Sequence, residues 1–289
     1  RRRHTRYISV TGVQTCALPI FGANMTAPFF AVVVRKAYGL DRPLITQFFD
    51  WVARAIVGDF GSSDFFREKV STLIFSRLPI TLTLGLVGLG IALCVALPLG
   101  VVSALREGRP IDRLISLVAL LGQAMPSFWL GLVLMITFGL HLGWLPISGP
   151  GTWQHFVMPG TVLAFSAIPA LMRLTRAGMI DAMAADYIRT ARAKGLSRTS
   201  IVLKHAARNA AMPVVSIAAV QLGFMLGGSI VIETVFALHG VGFLAWESIS
   251  KNDFPTVQAV VLLLAILYTL LTLGADLLNA VLDPRLRAS

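Results

Sequence analysis

"DYIRTARAKGLSRTSIVLKHAARNAAMP" occupies residues 186–213. It is basic, alanine-rich and patterned as helix, yet it lies between two segments apolar enough to reside in lipid. Met183, Tyr187, Ile188 and Ala191 recur at helical spacing and form an apolar stripe. Asp186 and Arg189, three residues apart, can pair on the helix surface. Gly195 suits the position just past the end of this helix, because glycine enters the left-handed conformation without a steric penalty. Ser197 then reads as the N-cap of a second helix running through Ile201 and His205 to about Ala211. Pro213 sits at the start of the next apolar run.

Helix, glycine turn and helix, with bases, also describes a DNA-reading helix-turn-helix. Here both ends are tied to apolar spans by a few residues, so neither helix can enter a major groove, and nucleic acid is excluded as a partner. A solvated basic loop would explain the charge. It would not explain Ala191, Ala193 and Gly195, small residues beside a turn that permit close approach by another surface. A docking surface for a cytoplasmic partner accounts for both.

The rest of the chain sets the context. Of 289 residues 56% are hydrophobic and 13% charged, against about 25% charged in soluble domains. With a mean hydropathy of +0.76 this composition points to an all-α polytopic membrane protein. Five apolar segments stand out, each longer than the roughly 20 residues that a spanning helix needs. They run over Pro79–Leu105, Leu114–Leu140, Phe156–Met179, Pro213–Phe236 and Thr256–Leu282. The net charge of +11 would suggest nucleic acid in a soluble chain; here the bases report topology. Arg106, Arg109 and Arg113 lie between the first and second segments, a basic cluster between the third and fourth, and Arg285 and Arg287 after the fifth. Residues 141–155 carry no Lys or Arg, and the fourth connection carries only Lys251. This alternation puts residues 186–213 and the C-terminus in the cytoplasm.

Residues 21–78 are then expected outside the cell. They hold seven bases offset by five acids, and long segments translocate largely regardless of charge. Trp144 and Trp153 fall on an outer loop, where amphipathic rings favour the interface. Pro98, Pro126 and Pro169 lie within or near spans and free backbone carbonyls that neighbours must satisfy. "GFMLG" (Gly223–Gly227) has the spacing that lets two helices approach closely. "SVTGVQTCALPI" (Ser9–Ile20) resembles sequencing-adapter read-through, so residues 1–20 are expected to be non-native. Cys16 falls in that stretch and Cys94 in an apolar segment, so no disulfide is expected.

Chemistry-bearing patterns are few. No GxxxxGK[ST] loop occurs, so the chain is not expected to hydrolyse ATP or to bind a cofactor. The five histidines lack metal-ligand spacing. Glu233 and Asp276 lie near span ends, where each could line a pathway or hydrogen-bond at a helix terminus.

"ARAKGLSRTSIVLKHAARNAAMP" resembles the cytoplasmic coupling loop of binding-protein-dependent ABC importer permeases, whose helix inserts into a groove of the ATPase subunit. Ala191, Ala193, Gly195, Ile201 and Pro213 occupy the matching places, flanked by Tyr187, Lys194 and Leu196. Asp186 is the nearest candidate for the family's acidic residue. "YGLDRPLITQFFDWVARAIVGDFGSS" (Tyr38–Ser63), "RLPITLTLG" (Arg77–Gly85), "MPSFWLGL" (Met125–Leu132), "LGWLPISG" (Leu142–Gly149), "VIETVFALHGVGFL" (Val231–Leu244) and "LLNAVLDPRLR" (Leu277–Arg287) resemble dipeptide and oligopeptide permeases, and the subunit with the larger extracytoplasmic segment.

The resemblance implies a type I importer permease fold in which the family's first helix would precede Gly22. It divides the chain into a non-native stretch (1–20), an extracytoplasmic segment (21–78) and a permease domain (79–289) whose coupling loop spans about 180–212. It implies import of dipeptides or oligopeptides across a bacterial or archaeal cytoplasmic membrane. The expected partners are a second permease subunit, two ATP-binding subunits carrying ATP and Mg, a solute-binding protein and the bilayer. Pro126, Ser127 and Glu233 are candidates for the pathway or its gate. Nickel, glutathione or an oligosaccharide could be cargo on the same scaffold, and a non-transporting scaffold or sensor is the alternative of another class.

Overall fold

The structure is a computed structural model that describes Arg35 and residues 41–149 and 151–282. The adapter-like residues 1–20 with Cys16, residues 21–34 of the expected outer segment, and Arg285 and Arg287 lie outside the described residues. Two compact units divide the chain after Asp59. In the first, α1 (Leu44–Ile56) follows Pro43, whose fixed φ suits the turn before a helix.

The second unit consists of helices joined by loops, and among its described residues the only strand-like pairing is an isolated antiparallel bridge between Ser62 and Lys69. Helix α2 (Val70–Leu105) spans 36 residues, about 54 Å at 1.5 Å per residue. It begins nine residues before the expected first span, because Pro79 is carried inside the helix rather than at its start. The added turns bury Val70, Leu73 and Ile74 in a cluster with Val241, Leu244, Ala245, Ala259 and Val260, separate from the main core.

The second expected span is not one helix. α3 (Pro110–Ala124) and α4 (Ser127–Leu134, continued by a π-helical turn Met135–His141) meet at a bend of 100°. Met125 and Pro126 are both extended at the break. The proline ring disfavours the helical conformation in the residue before it, so the apolar run continues while the helix stops.

A 3₁₀ turn (Trp153–Phe156) leads into α5 (Val157–Ala184), the most buried of the spanning helices. Then come α6 (Asp186–Ala193), the single turn α7 (Arg198–Ser200), a π-helical turn (Ile201–Ala206) and α8 (Ala207–Val235). α9 (Val241–Ser250) and α10 (Phe254–Leu282) complete the described chain. Among the described residues four helical segments are long and apolar enough to cross a membrane, and the bent α3–α4 pair makes a fifth if it counts as one span.

Small residues set the closest packing. Gly88, Ala92, Ala96 and Gly100 on α2 are buried with Gly160, Ala164 and Ala167 on α5. A Cβ on Gly100 would stand 2.6 Å from Thr175 Cβ and 2.8 Å from the Met172 carbonyl oxygen, so only glycine allows this approach. Of "GFMLG", Gly223 meets Tyr268 of α10, where a Cβ would come within 2.5 Å of the ring, whereas Gly227 faces open space. On the outer faces, Leu114, Leu117, Leu121, Leu270, Leu273 and Leu277 are exposed, as lipid-facing side chains are.

Candidate functional site

The helix–glycine–helix segment folds locally as its sequence dictates. At the end of α6, the Gly195 N–H donates to the Arg192 carbonyl (3.0 Å) and the Leu196 N–H to the Ala191 carbonyl (3.3 Å). This pair of bonds is a Schellman cap, which needs a left-handed residue at Gly195, and φ there is +75°. The Ser197 hydroxyl accepts from the Ser200 N–H (3.3 Å) and caps α7.

The segment is then fastened to the bundle. Ile188 and Ala191 of α6 are buried with Ile201, Val202 and Ala206 of the π turn, against Met179 and Ala182 of α5 and Val101, Ala104 and Leu105 of α2. Ala191 and Ile201, expected to face a partner, therefore face the spans. Tyr187, read in one apolar stripe with Ile188 and Ala191, turns outward and is 40% exposed. Asp186, Ala193, Lys194, Gly195 and Leu196 are exposed with it. The Asp186–Arg189 pair forms at 3.6 Å but is almost fully solvated, so it contributes little. Pro213 also moves: it lies inside α8, because the second helix does not end near Ala211 but continues through the π turn into the span. The outward face combines exposed Tyr187, Leu196 and Leu203 with Arg189, Arg192, Lys194, Arg198 and Lys204.

Beside it stands a polar node that sequence reading did not identify. Arg176 of α5 donates two parallel hydrogen bonds to Asp112 of α3, Nε to Oδ1 and Nη2 to Oδ2, both 2.8 Å. Ser103 of α2 donates to Asp112 Oδ1 and the Gly108 N–H donates to Oδ2 (3.0 Å). The buried carboxylate is thus fully engaged and ties three helices together. Arg176 is also 3.8 Å from Glu107.

At the opposite end Glu233 is fully buried. It accepts from the Thr81 hydroxyl of α2 and from the Phe243 N–H of α9, each 2.8 Å. Thr81 Oγ1 in turn accepts from the Val241 N–H (2.8 Å). The orphan amides at the start of α9 are therefore capped from two other helices. A Cβ on Gly240 would lie 2.5 Å from both Glu233 Oε2 and Thr81 Oγ1, which accounts for the glycine before α9. Nearby, Ser63 and Thr256 donate to Asp253 Oδ2, and Arg77 pairs with Glu247 at 3.5 Å.

Between these ends a groove of about 260 Å³ is walled by α4, α5 and α8. Ser127 lines it; Pro126 sits at the break just before, and Glu233 is not part of the wall. Ser166, Gln221, Phe224 and Gly228 also line it. A glutamine within the apolar run 213–236 was the sequence signal for this wall.

Bent and continuous spans, a helix exposed at the basic end and a groove between α4, α5 and α8 are the features of a membrane permease subunit. Residues 96–288 match the model of the family described as "Binding-protein-dependent transport system inner membrane component", and the chain belongs to that family. It is 41% identical over 255 residues to the glutathione transport system permease protein GsiC of Escherichia coli K12, covering 88% of this chain and 83% of that protein. Identity to GsiC of Salmonella typhimurium is 41% over 268 residues, 93% of this chain and 87% of the relative. A chain of the MetNI methionine ABC transporter in an inward-facing form shares the fold, with a TM-score of 0.61 at 21% identity over 73% of this chain and 96% of that one. The protein is thus an inner-membrane, multi-pass permease subunit of a bacterial ABC importer. It is a transport subunit rather than an enzyme, and it works with ATPase and substrate-binding partners.

Proposed function

We propose that this subunit imports short peptides, glutathione among them, and that residues 186–206 couple it to the ATPase. The observation that carries the coupling is the division of the segment into two faces. Ile188, Ala191 and Ile201 anchor it to α2 and α5, while Tyr187, Lys194, Gly195 and Leu196 stay exposed. A helix free on one side and rigidly seated on the other can receive a push and pass it to the spans. The complex comprises a second permease subunit, two ATP-binding subunits holding ATP and Mg, and an extracytoplasmic solute-binding protein. The names of the 41% identical relatives support glutathione, itself a tripeptide, as cargo.

Gly195→Val tests the coupling. No atom of the described residues lies within 4 Å of a Cβ placed at Gly195, so the effect is purely conformational. A β-branched residue at positive φ costs roughly 1–2 kcal/mol and unwinds the cap. Membrane insertion should survive, while co-purification with the ATPase and substrate-stimulated ATP hydrolysis are lost. Normal assembly and uptake would remove the coupling role. The wild-type complex in proteoliposomes, given labelled glutathione and a labelled dipeptide, reports the cargo.

A further inference from the structure

Gln221 stands at the centre of α8, 14 residues from Ala207 and 14 from Val235, about 21 Å from either end. Its side chain lines the groove, is half-buried, and has no hydrogen-bond partner among the described residues. An amide at that depth, left unpaired in a span, is costly. Across the groove stands Ser166 of α5, whose hydroxyl already donates to the Leu163 carbonyl (2.7 Å) and so offers its lone pairs outward. Ser127 and the exposed ring of Phe224 also line the groove. Among the described residues no charged side chain lines the groove.

We infer that Gln221, with Ser166, forms a binding half-site for the main-chain amide of a passing peptide. The inference rests on the peptide-import reading above. A carboxamide presents one acceptor edge and one donor edge, matching the N–H and C=O of a peptide group. Ser166 adds an acceptor for a second N–H. A peptide entering an apolar passage sheds water from its amides, and each buried N–H without a partner is penalised. Gln221 replaces that water. Because the wall is uncharged, it would discriminate by backbone chemistry and leave the sign of the peptide's side chains unselected.

The test compares a labelled tripeptide, which carries two amide N–H groups, with its depsipeptide analogue, in which ester oxygens replace both. Uptake of both is measured in proteoliposomes holding the complete importer, with saturating binding protein. The binding protein's own preference is common to all variants, so it cancels when amide-to-ester ratios are compared. The wild-type ratio should exceed that of Gln221→Leu by about three- to tenfold, the worth of one hydrogen bond. An unchanged ratio in an assembled Gln221→Leu complex overturns the proposal. If that variant loses the second permease subunit on purification, Ser166→Ala, which removes only one oxygen, carries the comparison. An unchanged ratio there assigns Gln221 to the contact between permeases and overturns the proposal too. Failure of every peptide to be taken up by the wild type overturns the import reading and the proposal with it, whereas uptake with unchanged ratios overturns the proposal alone.

Discussion

Glu233 carries a sharp prediction, because its two buried hydrogen bonds propose it as a clamp between α8, α2 and α9. Glu233→Ala removes the acceptor for two buried donors, the Thr81 hydroxyl and the Phe243 N–H, both at 2.8 Å. Each orphaned buried donor costs about 1–3 kcal/mol, so the pair costs roughly 2–6 kcal/mol before the cavity is counted. Glu233→Gln should be milder. Its carbonyl oxygen can stay on the Phe243 N–H, which cannot move, while its NH₂ faces Thr81. Thr81 Oγ1 can accept from that group as well as from Val241, provided its own proton rotates away. Thr81→Val should fall between the two, leaving the Val241 N–H unpaired. The assay is thermal denaturation of the purified complex, paired with the apparent KM for uptake. The expected order of stability is wild type, then Gln, then Thr81→Val, then Ala, with KM unchanged wherever the complex survives. A Glu233→Gln complex of wild-type stability whose KM rises severalfold would refute the clamp and return Glu233 to the pathway.

Two other substitutions probe the packing. Gly100→Val should overpack the α2–α5 contact by about 1–3 kcal/mol and depress the yield of monodisperse complex, whereas Gly90→Ala, whose Cβ meets no atom within 4 Å among the described residues, should be neutral in the same size-exclusion assay. Arg176→Met leaves Asp112 with only Ser103 and Gly108, and should destabilise by roughly 2–3 kcal/mol once the 28% exposure of the arginine is allowed for. Adding Asp112→Leu should restore most of that stability in a denaturation series, and no recovery would mean that the node acts through something other than the ion pair.

What the sequence disclosed depended on how local each signal was. The spans were legible because their apolar runs are contiguous, and the Gly195 and Ser197 caps because a cap is written within six residues. The break at Pro126 was hidden by its own surroundings: hydropathy continues through Met125 and Pro126 although the backbone does not. α9 was hidden inside an outer connection because its N-terminus is capped by Thr81 and Glu233 instead of by a residue beside it. Arg176 read as one more topological charge, since its partner Asp112 lies 64 residues away. Pro213 was misplaced because a proline six residues into α8 and one at the start of a span look alike in sequence.

The two clamps bear on how any coupling motion could travel. α2 is held to α3 and α5 at the basic end through Ser103, Asp112 and Arg176, and to α8 and α9 at the other end through Thr81 and Glu233. Between them, Gly88, Gly100 and Gly160 bring α2 and α5 into contact too close to slide without collision. The cluster beneath α6 and the π turn draws on both of these helices at once, through Val101, Ala104 and Leu105 on α2 and Met179 and Ala182 on α5. A displacement of α6 under the proposed coupling would thus reach α2 and α5 together, with both ends fastened, and the packed helices would turn as one body. Relative motion is then expected between this subunit and the proposed second permease rather than within the bundle. Arg176→Met loosens one of the fastenings, so the same variant that measures the ion pair should also uncouple ATP hydrolysis from uptake. Tight coupling in that variant would mean that the node stabilises the fold without transmitting the motion.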